Sequence, residues 1–316
     1  MSTPSNDCLT DRVAIVTGSG AGLGATYARA LAAAGAAVVV NDVSADAAER
    51  TAAEIRQAGG RAAVVVAPVG PTETAQQLVE TAVGTFGRLD ALVTNAGVLR
   101  DRSLLKMTDD DFDTVIGVHL RGTFTCVRAA WAHFKETGTA GRIVAVGSPT
   151  GQRGTFGQTN YAAAKAGIVG MVRTWALEMG RSGTTVNAVV PVAATAMTRT
   201  VPYFAAAIEA EDAGQPMPDF YRKGLGFGTT DDVAGVVVYL ASEQAAGING
   251  QVIGVGGDRL QLWSHPEPVL TLEHDGGWSA DDVADVAAQR IREDLQSVGE
   301  RFPALPAELD RSTQAS

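Results

Sequence analysis

Tyr161 and Lys165 stand four residues apart in a stretch of helical character, thirteen residues after Ser148. That spacing puts phenol and ammonium on one helix face, about one turn apart. A free phenol has a pKa of about 10, too high for a base near neutrality, and lowering it by ~3 units takes roughly 4 kcal/mol of differential stabilisation. A neighbouring ammonium in a partly desolvated site can supply that. Tyr161 would then exchange a proton with a substrate hydroxyl, and Ser148, just past an apolar strand, would hold the reacting oxygen by hydrogen bond. A bare Tyr-x-x-x-Lys pair arises by chance on many helix surfaces. Its weight here comes from its place after strand, serine and loop.

The partner chemistry lies near the start. Thr17-Gly18-Ser19-Gly20-Ala21-Gly22-Leu23-Gly24 follows an apolar run and opens a helical pattern. A tight turn from strand into helix lets a pyrophosphate approach main-chain N–H groups without meeting a Cβ, and Gly18, Gly22 and Gly24 have none. The helix N-terminus adds free N–H donors and partial positive charge. A glycine triplet alone is weak in a chain with 36 glycines; this one has the right elements on both sides. Eighteen residues after Gly24, Asp42 ends the second apolar run. Its carboxylate can accept both adenosine ribose hydroxyls and would repel a 2′-phosphate. Neither Ser19 nor Val43 offers an offsetting cation, so the expected cofactor is NAD rather than NADP. A bound oxidised nicotinamide ring would add positive charge beside Tyr161, and Lys165 is also suited to hold the nicotinamide ribose.

Composition narrows the alternatives. The 316 residues are 46% hydrophobic and 19% charged, enough to bury a large core. A net charge of −10 argues against nucleic-acid binding, which needs clustered Lys and Arg. The polar stretch 1–8 lacks a secretory pattern, and the strongest apolar run, 31–40, is too short to cross a bilayer. Two cysteines, Cys8 and Cys126, give no disulfide framework. His119, His133, His265 and His274 show no ligand spacing, so no metal site is expected. A cytoplasmic enzyme without membrane contact is the expectation.

These groups need a scaffold. Apolar runs at 12–17, 37–42, 61–66, 89–94, 142–147, 185–190 and 251–255 alternate with helical stretches near 22–34, 45–58, 72–86, 109–136, 157–181 and 230–241. That alternation predicts an α/β fold: a doubly wound parallel sheet of seven strands with helices on both faces. Two regions break it. The segment 198–227, rich in aromatics, Pro and Gly, lies beyond the sixth strand, where it can close over a substrate or pack as a helical pair on the sheet. The tail 259–316 is read as a C-terminal extension after a domain of 1–258. Its helix starts at Ser279, and Val283, Val286, Ala287, Ile291 and Leu295 form a stripe expected to pack on the core or a neighbouring subunit.

Thr17 to Gly24, Thr94-Asn95-Ala96-Gly97, Ser148, Tyr161 and Lys165, in this order and spacing, resemble the short-chain dehydrogenase/reductase family over about residues 10–257. The resemblance implies one Rossmann-like domain, a homodimer or homotetramer, Asn95, Ala96 and Gly97 on the adenosine side of the cofactor, and Pro191 and Thr195 near the nicotinamide. Leu99 to Ser103, Val118 to Gly122, Phe156 to Tyr161 and Val255 to Trp263 look similar to the dehydrogenase module of the peroxisomal multifunctional enzyme and to bacterial hydroxysteroid and hydroxyacyl-CoA dehydrogenases. By this likeness the substrate is a (3R)-hydroxyacyl-CoA or a steroid-derived hydroxyl compound. Arg100 and Arg102 would meet a CoA phosphate, form surface ion pairs or make a subunit contact.

Three positions depart from the family pattern. His119 replaces its helix asparagine, whose main-chain carbonyl survives substitution; the imidazole is either structural or a titratable group in the proton path. The acid after the third strand is replaced around Ala67-Pro68-Val69, so an adenine contact is lost or comes from main chain at Val69. Val192 replaces a glycine after Pro191. Two rival functions remain: an NADPH-dependent 3-oxoacyl carrier-protein reductase, which Asp42 and the acidic charge disfavour, and a non-catalytic nucleotide-binding module, which the intact Ser148, Tyr161 and Lys165 disfavour.

Overall fold

The computed structural model describes residues 8–195, 198, 199, 201–300 and 302–310; most of the polar stretch 1–8 therefore lies outside the described residues. The chain runs β1 (Val13–Val16), α1 (Gly22–Ala33), β2 (Ala37–Asp42), α2 (Ala45–Gln57), β3 (Arg61–Val66), α3 (Thr72–Phe86) and β4 (Ala91–Thr94). It continues through α4 (Asp109–Val115), a π-helical turn (Ile116–Arg121), α5 (Gly122–Thr137), β5 (Arg142–Val146), α6 (Pro149–Arg153) and α7 (Thr159–Met179). After β6 (Thr185–Pro191) come α8 (Ala205–Asp212), α9 (Asp231–Ala241), β7 (Val252–Gly256), β8 (Arg259–Leu262), α10 (Ala280–Asp282) and α11 (Ala288–Glu293).

The strands form one sheet in the order β3-β2-β1-β4-β5-β6-β7-β8. β1 pairs in parallel with β2 on one side and β4 on the other, so the winding reverses there and a crevice opens beyond their carboxyl ends. Apolar residues alternate between two cores. Ala14, Val16, Val38 and Val40 face α1, α2 and α9 through Tyr27, Leu31, Ile55 and Val237. Val13, Ile15, Val39 and Ile143 face α3, α5 and α7 through Leu78, Phe134, Ile168 and Val172. Both faces of the central strands are thus covered, which is why their sequences read as continuous runs of Val, Ile and Ala.

One expectation needs correction. The sheet has eight strands, not seven: β8 pairs antiparallel with β7, Val255 opposite Leu260, so the tail begins inside the sheet. The helical stretch expected near 109–136 runs without a gap through α4, the π turn and α5. In the tail stripe Ala287 is buried, whereas Val283, Val286, Ile291 and Leu295 are exposed in this chain.

The segment 198–227 builds a small core of its own beyond β6. Phe204 stacks on Phe227 with centroids 4.2 Å apart, Tyr221 is fully buried, and Leu305 and Leu309 of the tail pack against them. The Tyr203 hydroxyl donates to the Pro303 carbonyl at 2.8 Å, so tail and insertion are stitched together. Among the described residues no helix is long and apolar enough to cross a membrane.

Candidate active site

Strand ends assemble the site. β5 is buried along its length and is followed by Gly147 and Ser148. Ser148 has an extended backbone and caps α6, its Oγ accepting from Thr150 N at 3.2 Å. The residues between α6 and α7 return the chain to the same edge, where α7 presents Tyr161 and Lys165. Burial pushes the Tyr161 phenol above its ordinary pKa; a hydrogen bond with Ser148 pulls it down, and the charge of Asp101 pushes it up. Lys165 is buried, lies 5.6 Å from the centre of the Tyr161 ring and donates through Nζ to the Val146 carbonyl at 2.6 Å. Burial lowers its pKa to about 7.

With the protein's own groups, then, the phenol is not acidified as the bare spacing suggests. Desolvation dominates both members of the pair, and further positive charge at the phenol is what would reverse the balance.

His119 lies in the π turn with its ring edge-on to Tyr161, centroids 5.1 Å apart at 88°. Its Nε2 is 2.8 Å from the Val98 carbonyl oxygen and 3.0 Å from the Val98 amide nitrogen. Burial, then the Lys165 charge, lower its pKa to about 3, against a smaller opposing effect of the Val98 bond.

The glycine loop fits a dinucleotide. A Cβ on Gly24 would lie 2.1 Å from the Gly18 carbonyl oxygen, and one on Gly18 would lie 2.6 Å from Ala96 Cα. Gly22, at φ +55°, faces open space instead. No side chain caps α1 and no acid stands in its first turn, whereas Ser44 and Thr108 cap α2 and α4. The first-turn N–H groups of α1 are therefore left for an anion. Leu23 packs on the core beneath.

Asp42 is half-buried at the end of β2, and its carboxylate accepts from Gly20 N through Oδ2 and from Ser44 N through Oδ1, both at 3.0 Å. A carboxylate has about four acceptor sites, so ribose hydroxyls can still be accommodated. Val69 is buried against the Gly122 position. At the end of β6, Val192 N donates to Val255 O, and Thr195 N donates to Thr198 Oγ1 at 2.8 Å. Arg100 and Arg102 are exposed, each guanidinium bonded to a neighbouring main-chain carbonyl, and both charges reach Asp111.

Two sets of bonds lie beyond the sequence reading. Thr17 Oγ1 accepts from the amides of Asn95 and Ala96, and Asn95 Nδ2 returns bonds to the Thr17 and Gly18 carbonyls, locking the glycine loop to the 95–97 turn. Fully buried Asn160 accepts from the Tyr161 amide at 2.8 Å and donates to the carbonyls of Arg100 and Asp111. An asparagine beside Tyr161 is a cue that only a buried setting makes legible.

A Rossmann-like sheet with a dinucleotide loop at its switch point, and a hydroxyl-phenol-amine set beyond β5, defines a nicotinamide-dependent oxidoreductase acting on CH–OH groups. The chain belongs to the short-chain dehydrogenase/reductase family: the family model described as enoyl-(acyl carrier protein) reductase matches residues 18–257. It is 41% identical to the hydroxyacyl-CoA dehydrogenase ChsB1 of Mycobacterium tuberculosis, over 87% of this chain and 86% of that protein. It is 46% identical to the peroxisomal multifunctional enzyme type 2 of Mus musculus over 60% of this chain, but spans only 26% of that larger protein. A 3-oxoacyl-[acyl-carrier-protein] reductase of Synechocystis sp. is 40% identical over 80% of this chain and 99% of its own length. The crystal structure of a short chain dehydrogenase from Mycobacterium avium superposes with a TM-score of 0.77 at 34% identity, covering 95% of this chain and all of that one.

Proposed function

We propose that this chain is an NAD-dependent dehydrogenase that interconverts a secondary alcohol and a ketone on a bulky apolar substrate, a (3R)-hydroxyacyl-CoA or a steroid-derived hydroxyl compound. The observation that carries the reading is Tyr161 placed between Ser148 and Lys165, in a chain whose glycine loop is bonded to Asp42. When bound, the oxidised nicotinamide supplies a hydride acceptor and positive charge. Tyr161 takes the hydroxyl proton as the C–H electron pair leaves and the C=O bond forms, and returns it in the reverse direction. Ser148 holds the reacting oxygen, and Lys165 stabilises the phenolate by its charge. Gly18, Gly22, Leu23 and Gly24 cradle the pyrophosphate, Asp42 the ribose, Val69, Asn95, Ala96 and Gly97 the adenosine side, Pro191 and Thr195 the nicotinamide side.

Acyl-CoA chemistry is supported by the named activity of the mycobacterial relative. The second reading, a reductase on carrier-protein thioesters, is favoured by the cyanobacterial relative and opposed by Asp42, which disfavours NADPH. The homodimer or homotetramer is supported by Leu177 exposed on α7 and Leu260 and Leu262 on the sheet edge, and light scattering tests it. Initial rates with a panel of 3-hydroxyacyl thioesters and hydroxysteroids, each with NAD and NADP, separate these readings. Turnover confined to NADP and carrier-bound thioesters would overturn the first.

A further inference from the structure

We infer that His119 is an uncharged positioning residue that fixes the aim of the Tyr161 ring against the 95–98 turn, and is not itself a proton carrier. This rests on the reading of Tyr161 as the proton-transfer group.

The imidazole is wedged between two parts of the site. On one side its edge meets the Tyr161 ring at 5.1 Å and 88°. On the other it lies on Gly97, where a Cβ would come within 2.3 Å of the imidazole Cε1, so only glycine lets the turn lie so close. Nε2 reaches both polar groups of Val98, donating to the carbonyl at 2.8 Å in one tautomer or accepting from the amide at 3.0 Å in the other. Either tautomer is neutral and either ties the ring to the turn. Nδ1 is buried and has no hydrogen-bond partner among the described residues, so no relay leads onward from it through them. The ionisable groups around it are Lys165 and Tyr161 on α7, and Asp101 acts on Tyr161 from the segment after β4. A second cation beside Lys165 in this dry setting is unfavourable, which agrees with the depressed imidazole pKa.

The turn that Val98 ends is bonded through Asn95 to Thr17 and Gly18 of the nucleotide loop. His119 therefore joins the cofactor-binding backbone to the phenol by one rigid side chain. A family asparagine in the same place has no ring to lean on Tyr161. Loss of the ring frees the phenol to swing, and a misplacement of an ångström costs up to about a hundredfold in rate.

The test uses the full chain with His119→Ala, His119→Asn and His119→Phe. Phe keeps the ring edge and removes both nitrogens; Asn keeps a polar group and removes the ring. The expectation is that Phe retains at least about tenfold more turnover than Ala or Asn, in keeping with a role in aim rather than proton transfer. No limb of the pH–rate profile should disappear in any variant, and NAD binding by fluorescence should weaken in Ala. A readout independent of turnover is the ultraviolet phenolate signal of Tyr161 with NAD bound, with Tyr161→Phe as the blank, which should shift in His119→Ala. Phe falling as low as Ala, or an ionisation disappearing from the profile, would overturn the inference. If Tyr161→Phe itself remains active, the proton-transfer reading fails, and the phenolate titration still reports whether His119 sets the phenol's surroundings. If Ala does not fold, the Phe and Asn pair decides.

Discussion

Lys165 Nζ donates to the carbonyl of Val146, two residues before Ser148 on the same strand end, at 2.6 Å. The ammonium and the hydroxyl that flank Tyr161 are thus referenced to one piece of backbone, although they come from different elements. β5 is buried on both sides, so this reference point barely moves. The cost is a charge held in a dry place, and burial is the cause of the lysine's depressed pKa of about 7.

That cost is measurable. The unfolded lysine titrates near about 10.4, the folded one near 7. Between these values the unfolded chain binds more protons, so this group makes stability rise with pH across that window, and its full penalty applies below pH 7. Lys165→Met should therefore stabilise the cofactor-free chain at pH 6, by at most on the order of 4 kcal/mol, less about 1–3 kcal/mol for the Val146 carbonyl left unpaired. The gain should shrink towards pH 10. Denaturant melts at several pH values check this, and a gain that grows with pH would contradict it.

Tyr161→Phe removes the phenol oxygen and keeps the ring that His119 touches. Turnover should fall by about 10²–10⁴-fold, while NAD affinity measured by fluorescence titration stays within about threefold, since the carbon skeleton of the site is preserved. Unchanged turnover would remove Tyr161 from the chemistry.

Much of this arrangement was legible in the residues. The long apolar runs and the helical stretches between them mark a parallel sheet, and Gly18 to Gly24 followed by Asp42 mark its switch point. β8 was not legible as a parallel strand because Arg259 to Leu262 is short and exposed; its alternation after Gly256-Gly257 suits an antiparallel edge instead. The π turn that places His119 adds one residue to a helix whose apolar pattern runs on through it. Spacing showed that an ammonium stands near a phenol, but the sign of the phenol's shift depends on burial, which spacing does not carry. Likewise the bond from Gly20 to Asp42 exists only once the glycine loop meets the end of β2, whereas the bond from Ser44 is local.

Asp42 both stabilises the loop and faces the cofactor's ribose in the proposed reading. NAD should exceed NADP in kcat/KM by about a hundredfold or more, and Asp42→Ala should narrow that ratio at least about tenfold, equivalent to 1.4 kcal/mol. Because Gly20 and Ser44 lose their acceptor, KM for NAD should also rise. Equal use of both cofactors by the unaltered chain would refute the assignment of this carboxylate.

The two glycines that flank Leu23 should respond differently to the same methyl group. On Gly24 the Cβ would sit 2.1 Å from the Gly18 carbonyl oxygen and 2.4 Å from Asn95 Nδ2, so Gly24→Ala must push apart the loop and the turn that holds it. On Gly22 the Cβ meets nothing within 4 Å, and the penalty is the left-handed backbone at φ +55°, about 1–2 kcal/mol. Gly24→Ala should lose measurable NAD binding, while Gly22→Ala weakens it by at most about thirtyfold, the binding equivalent of that strain at its upper end. Both are read by fluorescence titration of folded protein. The reverse order would mean that the pyrophosphate lies over Gly22 so closely that a methyl there blocks it, and that the loop can open at Gly24 without harm.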